Sequence, residues 1–125
     1  MFMPRVLVVD DDPDLAAICS LILESEGYET TVARNGVEAY DRLSATRVDA
    51  ILLDVMMPAM DGLTVCRLVK GDPATEQVPI IVMSASERLR EQATLCHADA
   101  VLPKPFNIDD LVLAVNNLVY SADVT

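Results

Sequence analysis

Basic residues are scarce in this sequence: nine Lys and Arg stand against twenty Asp and Glu, for a formal net charge of −11. That sign repels a phosphate backbone, so no direct nucleic-acid partner is expected. His97 is the only histidine, and with it go the Ser-His-Asp hydrolase chemistries. Cys19, Cys66 and Cys96 lie far apart, with no CxxC or Cys/His spacing that would hold zinc. An odd number argues against a disulfide framework and reads as free thiols in a reducing compartment. Long apolar runs are missing as well. Stretches such as Leu15 to Leu23 and Val78 to Ala85 fall short of the roughly 18 residues a membrane helix needs, so no membrane association is expected. The opening Met1-Phe2-Met3-Pro4-Arg5 leads straight into an apolar run without the zones of a signal peptide, and a cytoplasmic location is the expectation. No GxGxxG or GxxxxGK[ST] loop follows any strand-like run, which removes the usual nucleotide cradles.

What the sequence does contain is a regular alternation. With 125 residues, 52% of them hydrophobic, it fits one domain spanning 1–125 with a core at about 4–121, and no Gly/Ser-rich linker or repeat divides it. Arg5 to Val9, Ala50 to Leu53 and Ile80 to Met83 are continuous apolar runs, as expected of central parallel strands covered on both faces. Tyr28 to Val32 is more polar and Ala100 to Leu102 is short. Both read as edge strands, and Pro103 supports the second, since its missing N–H is tolerated at an edge.

Between the strands, Leu15, Ile18, Cys19 and Ile22 recur at helical spacing before Gly27, marking a first helix. Val37, Tyr40 and Leu43 mark a second, and Val65, Leu68 and Val69, ended by Gly71-Asp72-Pro73, a third. Leu89, Ala93 and Cys96 form the weakest stripe, so the fourth helix should be the least tightly held. Asn107 is placed as the N-cap of a fifth, with Ile108, Leu111, Val112 and Val115 on one face. The fold class is therefore α/β: a doubly wound, five-stranded parallel sheet with five helices, whose edge assignments fit the flavodoxin-like order 2-1-3-4-5. In that order ligands bind beyond the carboxyl ends of the strands.

Those ends carry the chemistry. The first strand runs into Asp10-Asp11-Asp12, the third into Asp54, the fourth into Ser84 and the fifth into Pro103-Lys104-Pro105. Asp12 and Asp14 read as caps of the first helix, where acidic residues favour the dipole. Asp10, Asp11 and Asp54 would converge, and like charges that close either raise a pKa or recruit a cation. A hard ion is the simpler answer, and one or two carboxylates plus waters suit Mg²⁺. Lys104 opposite the cluster becomes a counter-charge. Carboxylate, hydroxyl, ammonium and hard metal together meet the requirements of phosphoryl transfer, with Asp54 as candidate nucleophile and Ser84 and Lys104 holding the phosphoryl oxygens.

Val8-Val9-Asp10-Asp11-Asp12, Leu53-Asp54-Val55-Met56-Met57-Pro58-Ala59-Met60-Asp61-Gly62, Ser84-Ala85 and Lys104-Pro105-Phe106 together resemble the receiver domain of two-component response regulators across almost the whole chain. The resemblance implies a phosphoprotein: Asp54 takes a phosphoryl group from a sensor histidine kinase or phosphotransfer protein, forming an aspartyl phosphate. It implies Mg²⁺ bound by Asp11, Asp54 and the backbone carbonyl of Met56, with Asp10 acting largely through water. Ser84 is implied as the switch hydroxyl that turns toward the phosphoryl group, Lys104 as the ion-pair partner of that group, with a cis bond at Lys104-Pro105 and a loop over Asp54 shaped by Pro58 and by Gly62, where backbone freedom matters.

Two positions depart from the family. Val101 stands where Tyr or Phe is frequent, so the aromatic gate is missing, and His97 stands where Gly is usual, His being among the better non-Gly residues for a left-handed conformation. The family tunes phosphoryl lifetime at positions that here are Met56 and Ser86. An apolar Met56 cannot orient a hydrolytic water, which predicts slow self-dephosphorylation.

The expected function is thus a phosphorelay switch rather than an enzyme, acting on a downstream protein target or effector domain through the fourth helix, fifth strand and fifth helix. The same face is the place for a homodimer, though no residue pattern specifies one. A degenerate receiver binding partners without phosphate is the alternative, and Asp11, Asp54, Ser84 and Lys104 all speak against it. A Mg²⁺-dependent aspartyl phosphohydrolase is the last alternative, disfavoured because Met56 occupies the place of that chemistry's second Asp. The chain ends soon after the fifth helix, as expected of a stand-alone receiver or an excised one.

Overall fold

The runs buried on both faces become the centre of the sheet. A computed structural model describes residues 2–56 and 62–120. It contains β1 (Arg5–Val9), α1 (Pro13–Ser25), β2 (Glu29–Ala33), α2 (Gly36–Ala45), β3 (Ala50–Asp54), α3 (Gly62–Gly71), β4 (Ile80–Ser84), α4 (Leu89–Cys96), β5 (Ala100–Pro103) and α5 (Ile108–Val119). All strand pairs are parallel, in the order β2-β1-β3-β4-β5, so β2 and β5 are the edges expected from sequence. β3 and β4 are buried throughout, each one residue longer than the apolar run that marks it, so that Asp54 and Ser84 are themselves the last strand residues.

Strand alternation divides the apolar side chains between two cores. Leu7, Val9, Ile51, Leu53, Ile80 and Val82 face α2, α3 and α4, whereas Val6, Val8, Leu52, Ile81 and Met83 face α1 and α5. The helix stripes differ in detail from those read in the sequence. In α1 the buried residues are Ala16, Cys19 and Leu23, with Ile18 exposed. Val37, Leu68 and Ile108 are likewise exposed. Small residues bring each helix close to the sheet: Gly36 and Ala39 in α2, and Gly62 and Cys66 in α3. In α4 the buried set is Leu89, Ala93 and Cys96, as the spacing predicts.

The caps follow their chemistry. Asp12 accepts from the N–H groups of Asp14 and Leu15, and Asn107 and Asp110 form a reciprocal capping box on α5. His97 caps α4 at φ 62°, ψ 34°, the left-handed conformation anticipated for that position. Among the described residues, no helix is long and apolar enough to cross a membrane.

Candidate functional site

Parallel strands bring their carboxyl ends to one edge of the sheet, and the polar residues that follow must turn there. They do so in the same way at three strand ends. Asp10 Oδ1 accepts from the Asp12 N–H at 2.9 Å, Asp54 Oδ1 from the Met56 N–H at 3.0 Å, and Ser84 Oγ from the Ser86 N–H at 3.0 Å. These short side chains bond to backbone two residues on, fixing their orientation while stopping the strand.

Asp10, Asp11 and Asp54 each offer an oxygen, all within 4.8 Å of one another. Asp10 is fully buried, Asp54 almost so, and Asp11 is exposed at the mouth. The Lys104 Nζ reaches over from the end of β5, 3.5 Å from Asp54 Oδ2 and 3.7 Å from Asp10 Oδ2. One ammonium does not neutralise this site, because Asp10 Oδ2 is buried without a hydrogen-bond partner. Burial pushes the Asp10 carboxyl up to about 6; the Asp54 charge adds to this, while the Asp12 N–H and Lys104 oppose it. An orphaned buried oxygen in an all-carboxylate set is what a hard divalent cation relieves, so the residues fit Mg²⁺.

Ser84 is buried at the end of the neighbouring strand, and its carbonyl accepts from the Lys104 N–H at 2.9 Å, tying the ends of β4 and β5 together. Lys104-Pro105 is cis. Four strand ends thus deliver the expected carboxylates, hydroxyl and ammonium to one edge.

The model of the response regulator receiver domain matches residues 6–116. The chain belongs to that family. Response regulator MprA of Mycobacterium tuberculosis is 39% identical over 117 residues, 92% of this chain and 50% of its own length. The chain spans about half the length of the curated relatives it matches. The receiver domain of a signal transduction histidine kinase from Syntrophus aciditrophicus superposes with a TM-score of 0.88 at 37% identity, covering 98% of this chain and 94% of that one. TrrA of Thermotoga maritima, solved in complex with Mg²⁺-BeF, gives 0.84 at 33% identity, covering 93% and 99%.

Within this receiver domain the reason for Gly62 changes. It lies at the start of α3, where a Cβ would fall 2.3 Å from the Asp54 carbonyl oxygen and 2.6 Å from the Val55 Cα. Close approach of backbone to backbone, rather than conformational freedom, requires glycine there, and the Gly62 N–H donates to the Val55 carbonyl at 3.1 Å. Pro58 lies outside the described residues. Val101 is half-buried on β5 and lines a groove of about 270 Å³ with Arg90, Ala93, Thr94 and Asp99. Met56 is 66% exposed beside Asp54.

The sequence reading missed a second feature of this edge. Leu15, Ile18, Ile22, Phe106 and Ile108 line an apolar groove of about 600 Å³ between α1 and the start of α5. Ile18 and Ile108 belong to the apolar stripes that mark the first and fifth helices, yet they are 55% and 58% exposed. Their surplus over what the buried face needs is the signal that could have found it.

Proposed function

We propose that this receiver domain is a phosphoacceptor switch in which Asp54 takes a phosphoryl group from a phosphohistidine on a sensor histidine kinase or phosphotransfer protein. The convergence of Asp10, Asp11, Asp54 and Lys104 carries this reading. Asp11, Asp54 and the Met56 carbonyl would hold Mg²⁺, with Asp10 acting through water. The cation, when bound, neutralises phosphoryl oxygens as charge shifts onto them. Asp54 Oδ1 is held by the Met56 N–H, leaving Oδ2 beside Lys104 as the attacking oxygen. Its lone pair forms the new O–P bond as the P–N bond to the donor imidazole breaks. Lys104 then pairs with the phosphoryl oxygens. Ser84 Oγ, which accepts from Ser86, turns its own hydroxyl proton toward them. That rotation alters the β4–α4 junction and so biases the α4, β5 and α5 surface read by a downstream protein or effector domain.

The apolar groove between α1 and the start of α5 is suited to an apolar helix face on the phosphodonor. Met56 offers no group that could orient a water, so the aspartyl phosphate outlasts seconds. The chain's place in the cell is the cytoplasm, where such a donor and Mg²⁺ meet. The test is acetyl phosphate with Mg²⁺, followed by borohydride reduction and peptide mapping. Conversion of residue 54 to homoserine supports the proposal; conversion elsewhere, continuous phosphate release without an adduct, or decay within seconds contradicts the corresponding part.

A further inference from the structure

Two nucleophilic side chains that phosphoryl chemistry does not use meet on the other face of the sheet. Cys66 lies in α3 and Cys96 is the last residue of α4, thirty positions on, and both are fully buried in one core. The Cys66 Sγ donates to the Cys96 carbonyl at 3.2 Å, and the Cys96 Sγ to the Ala93 carbonyl at 3.6 Å. Burial pushes the Cys66 thiol up, and the adjoining Cys96 thiol adds to this, so Cys66 stays protonated while the core is closed. Cys19 packs in the opposite core, against the α1 and α5 side of the sheet.

The element holding Cys96 is the shortest of the described helices. α4 has eight residues, its N-cap Arg88 makes no side-chain cap bond, and its far end is held by backbone bonds from His97 and Ala98 to the Thr94 and Ala93 carbonyls around a left-handed non-glycine residue. Short, poorly capped elements open locally while the rest of a fold stays closed. Opening of the last turn of α4 would break the bond from the Cys66 Sγ to the Cys96 carbonyl and bring both sulfurs to solvent.

We propose that Cys66 and Cys96 are a redox-sensitive pair, oxidised by a peroxide to an intrachain disulfide that fixes the end of α4 to α3. On opening, one thiol loses its proton and its thiolate attacks the peroxide O–O bond, forming a sulfenic acid and releasing water. The second thiolate attacks that sulfur, the S–S bond forms and hydroxide leaves as a second water. Two thiols are oxidised by two electrons and one hydrogen peroxide is reduced to two waters. The disulfide itself does not depend on the phosphoryl reading. Only its consequence does: with α4 fixed, phosphorylation can no longer move that surface.

The reduced full chain is treated with hydrogen peroxide, blocked with N-ethylmaleimide, digested and mapped by mass, with hydrogen exchange measured on both forms. The expected result is a Cys66–Cys96 linked peptide in wild type and in Cys19→Ser, absent from Cys66→Ser and Cys96→Ser, reversed by dithiothreitol, with slower exchange across α4. Sulfinic acid on separate cysteines, a link through Cys19 or between chains, or thiols left intact while a glutathione control is consumed would overturn it. Phosphoryl uptake by the reduced protein is scored separately, so failure of either idea is recognised on its own.

Discussion

Asp10 bears the electrostatic cost of the site. Its Oδ2 is buried without a hydrogen-bond partner, next to the Asp54 carboxylate and 3.7 Å from Lys104. Replacing it with an uncharged isostere removes repulsion that the metal-free protein must endure. Asp10→Asn should therefore raise metal-free stability in thermal melts, by on the order of 1–2 kcal/mol, while weakening Mg²⁺ binding. Acidification acts with the same sign. The folded-state value of about 6 lies above the ordinary 3.8, so the cost of ionised Asp10 is present at neutral pH and fades as pH falls through 6 toward 4. Gly62 is constrained differently, since the atoms a Cβ would meet are backbone and cannot step aside. Gly62→Ala should destabilise by about 2 kcal/mol or more and slow phosphorylation by displacing Asp54, as melting and uptake rates would show. The carboxylates, Ser84 and Lys104 were legible because each stands at or just past the end of an apolar run. The role of Gly62 was not, because it depends on how closely the chain re-approaches the end of β3.

Elements were legible in kind and in order, and less so in the face they bury. The strands could be read because a stretch apolar at every position has only the centre of a two-sided sheet to go to. In α1, the sequence LAAICSLIL is apolar nearly all round, so spacing alone does not choose a face. The fold chose Ala16, Cys19 and Leu23, whose smaller members allow closer packing, and left Ile18 and Leu21 outside. The end of α4 shows local chemistry working in the other direction. His97 holds φ 62° with a Cβ, where glycine would be unstrained. His97→Gly should stabilise the fold by about 0.5–1 kcal/mol, read as a raised thermal midpoint with phosphoryl uptake unchanged; a lowered midpoint would show that the imidazole contributes more than its backbone costs.

At the scale of the whole molecule, one sheet edge holds the chemistry while two surfaces flank it. The groove between α1 and α5 is walled in part by Phe106, two residues beyond Lys104 in the chain, and β5 pairs with the strand that ends in Ser84. On the proposed function, this division separates receiving the phosphoryl group from reporting it. Ile18→Glu puts a charge in the groove without touching the carboxylates, so it should slow transfer from a histidine phosphodonor at least about tenfold, the effect of roughly 1.4 kcal/mol, and leave uptake from acetyl phosphate unchanged. Equal slowing with both donors would mean that the substitution disturbs the site itself. The central claim, that Asp54 is the acceptor and needs a metal held by its neighbours, is tested most directly by intact mass. Wild type and Asp54→Asn are incubated with acetyl phosphate and Mg²⁺, with and without EDTA. One added phosphoryl group on wild type, lost in EDTA and missing from Asp54→Asn, is the predicted result. An adduct that persists in Asp54→Asn, or none on folded, Mg²⁺-bound wild type, would contradict the account.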